Sequence, residues 1–313
     1  MIYSQWHEYR LSRLMLGTVQ FGMPYGIANR TGQPDYGQVR AIIAAAVEGG
    51  VNCFDTAAAY GTSEELLGRA LQELNLGGAV IVVTKVRPLT PAELEDGISA
   101  SRAIRESVDE SRRRLRMDCL PIVLFHREAD AAFIETLMTL RDEGRLRHAG
   151  VSCDNRPGRA VTFAEDDRIS ALQLPANVMD CRHWRSGVFQ QAASHGVAIF
   201  IRSVYLQGLL IMPEEQIPLE LRDLIPVRRR LEDIAVEAGM RLAELSVRYL
   251  LACEEATCLL TGVETEAQIR ENIEIIRRGP LPEDMRAAIE TCVVGIRDEL
   301  ITPSQWPPRK VQS

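Results

Sequence analysis

The sequence predicts an α/β fold, a single-domain (β/α)₈ TIM barrel, and three observations carry that expectation. Eight short apolar runs recur along the chain, helical stretches with recognisable ends lie between them, and no low-complexity linker breaks the alternation. Strands that are apolar through their length are buried on both faces, which in an alternating order means a parallel sheet covered by helices. The 313 residues suffice for closure into a barrel, which typically takes ~250. An open doubly wound sheet is the competing arrangement, disfavoured because no G-x-G-x-x-G follows any predicted strand. Residues 1–313 are expected to form one barrel domain with an additional C-terminal helix and tail at about 281–313.

The predicted strands are Leu14–Leu16, Asn52–Asp55, Val80–Lys85, Leu120–His126, His148–Ser152, Ala171–Leu174, Val197–Arg202 and Thr257–Gly262. Asp35 caps a helix whose inward positions Val39, Ile42, Ile43, Ala46 and Val47 follow the 3.6 period and which closes at Gly49 and Gly50. Thr62 and Glu65 are spaced as a capping box, with Leu66, Leu67, Ala70, Leu71 and Leu74 as the buried stripe of the helix they open. Further helices are predicted over about 99–116, 130–144, 186–195, 227–252 and 265–277, the last opened by a second capping box, Thr265 with Gln268.

Composition narrows the function. With 46% hydrophobic and 25% charged residues the chain is globular rather than disordered. A net charge of −7 leaves no basic excess for a phosphate backbone, so a small molecule is the expected partner and nucleic acid is not. No run approaches the roughly 18 apolar residues that span a bilayer, and MIYSQWHEYR lacks the apolar stretch of a secretory signal, so no membrane partner and a cytoplasmic location are expected. The seven cysteines are odd in number and never form a C-x-x-C pair, which argues against a disulfide framework and against a metal site.

Barrel enzymes place catalytic groups at the C-terminal ends of strands. Here predicted strand two ends in Asp55, three in Lys85, four in His126 and five in Ser152, while six carries Gln173 and seven ends in Arg202 and Ser203. Each has an ordinary explanation alone: Asp55 as a cap, Lys85 as a snorkelling side chain, His126 as a hydrogen-bonded core histidine. Together they point to one polar mouth, because an Asp and a Lys ending neighbouring apolar strands would each cost several kcal/mol to desolvate unless they paired.

These residues sit in the segments LGTVQFG (16–22), FDTAAAYGTSEELLG (54–68), VTKV (83–86), FH (125–126), GVS (150–152) and TEAQIREN (265–272). Through them the chain resembles the aldo-keto reductases from about residue 13 to residue 277. The resemblance implies an oxidoreductase in which Asp55, Tyr60, Lys85 and His126 form a catalytic tetrad. Tyr60 would deliver a proton to the carbonyl oxygen as hydride reaches carbon, Lys85 would lower the pKa of the phenol, Asp55 would hold Lys85, and His126 would hydrogen-bond the substrate oxygen.

The resemblance further implies a nicotinamide cofactor lying extended across the mouth without a Rossmann loop. Ser152 and Gln173 match carboxamide-binding positions, although Cys153 replaces the usual Asn beside that Ser. Gly17 and Thr18 match the turn after the first strand, and Ser203, Leu206, Gln207 and Gly208 a phosphate-side loop. Arg202 stands where an aromatic often stacks on nicotinamide. At the adenosine end Glu271 and Asn272 match adenine contacts, whereas Gly262 and Gln268 occupy positions where many relatives hold a 2′-phosphate with Lys and Arg. NADP(H) is favoured by the resemblance, NAD(H) is the alternative, and the helix start at Thr265 offers N–H groups to a phosphate. Arg127 and Glu128 replace a Trp found in relatives acting on apolar carbonyls, so the expected substrate is a polar or anionic carbonyl compound, such as a sugar, a small hydroxy-aldehyde or a vitamin-like aldehyde, met by Arg127 and Arg202. The competing role for Arg127 is pairing with a neighbouring acid. Trp306, in the tail, would fold over the pocket or simply pack. Two other functions stay open: a nicotinamide-binding regulatory subunit, and a Schiff-base barrel isomerase or lyase using Lys85.

Overall fold

The computed structural model describes residues 1–306, so 307–313 of the expected tail lie outside the described residues. Strands β1 (Tyr3–Trp6) and β2 (Tyr9–Ser12) form an antiparallel hairpin. The strands β3 (Leu14–Gly17), β4 (Cys53–Asp55), β5 (Ile81–Val86), β6 (Leu120–Phe125), β7 (Leu146–Ser152), β8 (Ala171–Pro175), β9 (Ala198–Arg202) and β10 (Cys258–Gly262) close into a barrel in that order, β10 pairing back onto β3. Every neighbouring pair is parallel. This is the predicted (β/α)₈ TIM barrel, with each strand within a few residues of its predicted span.

Met15, Cys53, Val83, Ile122, Leu124, Ala171, Ala198, Phe200 and Cys258 fill the barrel interior. Period-2 alternation sends the remaining strand residues outward against the helices, where Leu14, Phe54, Val82, Val123 and Ile199 join the larger core. The hairpin adds Trp6 and Leu11 to the interior, and the Trp6 indole donates to the Gly196 carbonyl at 2.9 Å. No element was predicted over residues 1–12, because the hairpin turns on His7 at φ 45° instead of a glycine.

Several helix expectations are corrected. The run 227–252 is two helices, Ile225–Glu237 and Leu242–Leu251, parted at Gly239, whose φ of 69° no α-helix contains. The 186–195 segment is a short helix Arg182–Arg185 followed by Val188–Ser194 after the left-handed Gly187. Thr62 opens the Ser63–Glu73 helix without a side-chain cap, and Glu65 faces solvent rather than closing a box. Asp35 with Gln38 and Thr265 with Gln268 do form reciprocal capping boxes. The additional C-terminal helix is Glu283–Cys292.

Candidate active site

In-register pairing sets Asp55 opposite Gly17 and Val83, and Lys85 two residues further along β5 opposite Leu124, so the two charges end adjacent strands at one mouth. Lys85 Nζ donates to Asp55 Oδ1 at 2.6 Å and to the Thr56 carbonyl at 2.9 Å. Gln173 Nε2, from β8, donates to the same Asp55 oxygen at 2.7 Å. The Lys85 and Asp55 side chains are 1% and 4% exposed, a buried and hydrogen-bonded pair of the kind that desolvation demands. Burial pulls the Lys85 ammonium below its usual range, with Asp55 opposing that shift.

Tyr60 reaches this pair through its loop. Thr56 N–H bonds to the Val83 carbonyl and Ala58 N–H to that of Lys85, which carries the chain along β5 before it turns. A Cβ on Gly22 would overlap the Tyr60 carbonyl, and one on Gly61, at φ 54°, would overlap that of Gly22. Two glycines therefore let the Tyr60 loop dock on the loop after β3. Ser63 locks the contact: its Oγ donates to the Thr18 carbonyl at 2.8 Å and lies 2.7 Å from Thr18 Oγ1 and 2.9 Å from Thr56 Oγ1. The neighbouring Glu64 is buried, accepting from Thr84 Oγ1 at 2.6 Å one residue before Lys85.

The Tyr60 ring centroid lies 5.0 Å from Lys85 Nζ and 5.6 Å from the His126 ring, which meets it edge-on at 89°. Among the described residues the Tyr60 hydroxyl has no hydrogen-bond partner. Burial raises the phenol well above its usual pKa, and the Asp55 carboxylate raises it further. The Arg202 charge opposes these shifts, while the Lys85 ammonium is directed at Asp55. His126 is pulled down to about 3, by burial first and then by the positive charges of Lys85 and Arg202. Its imidazole is neutral at pH 7, with a buried Nδ1 that has no partner. The four predicted tetrad residues thus converge.

A cavity of about 530 Å³ opens beside Asp55 and Tyr60. Gly17 and Gln173 line it near the tetrad, followed by Arg202, Ser203, Gln207 and Gly208, with Gly262, Gln268, Glu271 and Asn272 at the far end. Three predicted cofactor residues fall outside that wall: Thr18 is buried in its bonds to the Asp55 carbonyl and Ser63, Leu206 is wholly buried, and Ser152 is buried at the end of β7. The loop 23–29 crosses to the loop after β9, where Ile27 N–H donates to the Gln207 carbonyl at 3.0 Å. Gly208, at φ 96°, leaves no room for a Cβ beside Ala28.

Residues that sequence reasoning missed come from the short helix Val19–Gly22, from that loop and from 225–252. Gln20, Tyr25 and Asn29 line the cavity, as do Arg228 and Arg241. The polar Gln20 inside the otherwise apolar VQFG stretch was the available signal, and its Oε1 is buried without a partner. At the far end Gln268 Oε1 accepts from the Glu264 and Thr265 N–H groups, so the capping box already occupies part of the helix start expected to receive a phosphate. The carboxylates of Glu232, Glu264 and Glu271 line this end. Among the described residues its two guanidiniums are ion-paired, Arg228 with Glu232 and Arg241 with Glu271.

The structure places Arg127 and Trp306 outside the cavity wall. Arg127 pairs with Asp130 at 3.0 Å and donates to the Leu89 carbonyl, outside the cavity wall. The acid three residues ahead captures it. Trp306 packs on the core and donates to the Leu300 carbonyl at 3.2 Å, while Arg182 fastens the tail through Thr302 and Asp298, so Trp306 does not reach the cavity either. Among the described residues no group of three or more His, Cys, Asp or Glu side chains is arranged to hold a metal ion, and no helix is long and apolar enough to cross a membrane.

The profile described as "Aldo/keto reductase family" matches residues 13–294. The chain belongs to the aldo/keto reductase family. Its relatives include an uncharacterized oxidoreductase of Bacillus subtilis (strain 168), 26% identical over 80% of this chain and 86% of that protein. A probable voltage-gated potassium channel subunit beta of Arabidopsis thaliana is 26% identical over 86% and 90%, and an L-galactose dehydrogenase of the same plant is 28% identical over 72% and 74%. The fold matches that of an aldo-keto reductase from Bacillus halodurans in its holo form, with a TM-score of 0.76 and 24% identity over 93% of this chain and 96% of that one. Members of this family are oxidoreductases of carbonyl compounds and alcohols.

Proposed function

We propose that this aldo/keto reductase interconverts a polar aldehyde or ketone and its alcohol by hydride transfer with NAD(P)(H), Tyr60 serving as general acid and base. The observation that carries the reading is the Tyr60 ring, 5.0 Å from the Lys85 ammonium that Asp55 holds and 5.6 Å from the His126 ring, in the wall of a cavity of about 530 Å³. The cavity fits a dinucleotide in volume and in lining: polar side chains are spaced along its length, and Gln20 turns an unpartnered buried oxygen to a donor such as an amide or a ribose hydroxyl. Gln173, Ser203, Gln207 and Asn272 would hold the cofactor. When bound, nicotinamide supplies the hydride that reaches the carbonyl carbon.

The protein's part is proton delivery and charge stabilisation. As the carbonyl oxygen becomes an alkoxide it is a stronger base than a phenolate, so Tyr60 gives up its proton downhill despite its raised pKa. The phenolate left behind faces the Lys85 and Arg202 charges, and solvent returns the proton. Neutral His126 donates one N–H to the substrate oxygen and orients it. Asp55 keeps Lys85 charged and directed. A Schiff-base role for Lys85 is disfavoured, since its nitrogen is ion-paired and 1% exposed.

For the cofactor, NADH is favoured over NADPH, against the expectation from the resemblance alone. Among the described residues the far end offers a 2′-phosphate no guanidinium outside an ion pair, since Arg228 is held by Glu232 and Arg241 by Glu271, and Gly262 and Gln268 stand where many relatives carry Lys and Arg. Dissociation constants from nicotinamide fluorescence are expected to be lower for NADH, and equal or tighter NADPH binding refutes this. The similarity to a potassium channel subunit beta supports a second reading, a nicotinamide-binding regulator. Oxidation of NADH or NADPH by the purified protein with small hydroxy-aldehydes supports the enzyme, whereas tight binding with no turnover across them favours the regulator.

A further inference from the structure

Among the cations at the strand ends, Arg202 differs from Lys85 and Arg127. Lys85 is neutralised by Asp55, and Arg127 by Asp130. Arg202 ends β9, half-buried, in the cavity wall with Asp55 and Tyr60. Its Nη2 donates to the Cys153 carbonyl at 2.9 Å and its Nη1 to Ser203 Oγ at 3.1 Å, both neutral groups. Among the described residues no carboxylate lies within ion-pairing distance of it. A guanidinium has five N–H donors, so those two bonds anchor it and leave others unused. A half-desolvated cation without a counter-charge is costly unless a ligand supplies one. It pairs in register with Pro175, two residues beyond the Gln173 that donates to Asp55, which sets it at the mouth that holds the tetrad, and its charge is felt at Tyr60, His126 and Lys85.

We propose that Arg202 is the counter-ion of an anionic group on the substrate, so that the compound reduced is a short aldehyde or ketone bearing a carboxylate or a phosphate. This rests on the carbonyl-reductase reading above. Tyr60 receives the carbonyl oxygen while the guanidinium fork receives the anion, and because Tyr60 and Arg202 line the same cavity, with the Arg202 charge felt at the phenol, one short compound carries both groups. Planar bidentate capture suits Arg for either headgroup.

The test compares each anionic aldehyde with a neutral counterpart: succinic semialdehyde with its amide, and glyceraldehyde 3-phosphate with glyceraldehyde. The wild type is expected to prefer at least one anion by about 10- to 100-fold in kcat/KM, the range of a charge-assisted hydrogen bond, and the preferred headgroup tells carboxylate from phosphate. In Arg202→Met the anionic-to-neutral ratio is expected to fall toward one, and in Arg202→Lys to recover in part. Equal use of acid and neutral compounds by the wild type overturns the proposal and leaves the reductase reading standing. An unchanged ratio in Arg202→Met with weakened NADH binding overturns it as well, since the guanidinium would then serve the cofactor. If no aldehyde is reduced, the reductase reading falls. Succinate and inorganic phosphate titrated into the NADH complex then still decide the role of Arg202, with binding of either that is lost in Arg202→Met supporting the anion site and absence of binding refuting it.

Discussion

Replacing Lys85 by Met strands a carboxylate. Asp55 Oδ1 accepts hydrogen bonds from Lys85 at 2.6 Å and Gln173 at 2.7 Å, and its side chain is 4% exposed. The substitution removes the charged donor, leaves one amide donor, and also deprives the Thr56 carbonyl of its bond. Breaking a buried ion pair from one side costs about 3–5 kcal/mol, and the retained Gln173 contact puts this case near about 3 kcal/mol. For 313 residues the entropy of unfolding is about 0.7 kcal/mol per degree, so the melting midpoint should fall by about 5 °C. Asp55→Asn added to Lys85→Met removes the stranded charge and should restore most of that loss. Urea and thermal denaturation followed by circular dichroism measure both. A Lys85→Met protein melting within about 1 °C of wild type, or a double variant no better than the single, would refute the buried pair as the element that organises the mouth.

Other outcomes follow from the same geometry. With the Tyr60 phenol raised well above its usual value and His126 at about 3, neither titrates between about pH 5 and 9, so kcat/KM for reduction should be flat there and fall only as the phenol ionises at higher pH. A half-loss of activity near pH 6.5 would contradict a neutral His126. The depressed His126 pKa contributes stability that is present above pH 6.5 and lost progressively as pH falls toward about 3, because only the unfolded chain takes up the proton in that window; urea midpoints at pH 7 and pH 4 in wild type and His126→Asn measure it. Gly68→Ala should destabilise by about 1–3 kcal/mol despite alanine's better helix propensity, since its Cβ would overlap the Arg114 carbonyl and lie 2.7 Å from Leu115 Cα, backbone that cannot yield. A stabilised variant, read by urea denaturation, would contradict that close helix contact.

The barrel was legible because its strands are apolar on both faces and their polar ends stand out. Asp55, Lys85, His126 and Gln173 stood out for that reason, and Tyr60 through the family resemblance that its segment carries. Less legible was anything decided by which of several partners wins. Thr62 and Glu65 have capping-box spacing, but Ser63 is drawn into the Thr18 and Thr56 bonds and Glu64 into the core beside Thr84, so the helix starts without the box. Arg127 could be read toward a substrate or toward a neighbouring acid, and Asp130, one helical turn ahead, holds it. The helical period ran on through Gly239, where only the backbone angle marks the break. Gln20 lies past the strand end in the short helix Val19–Gly22, and Tyr25 and Asn29 lie in a loop whose path over the cavity depends on the distant Gln207.

The central claim is that the Tyr60 phenol delivers the proton, and stopped-flow mixing of the NADH complex of Tyr60→Phe with a reducible aldehyde tests it most directly. NADH affinity should stay within about threefold of wild type while the rate of nicotinamide oxidation drops by about 10²–10⁴. Oxidation within tenfold of the wild-type rate would mean that another group supplies the proton.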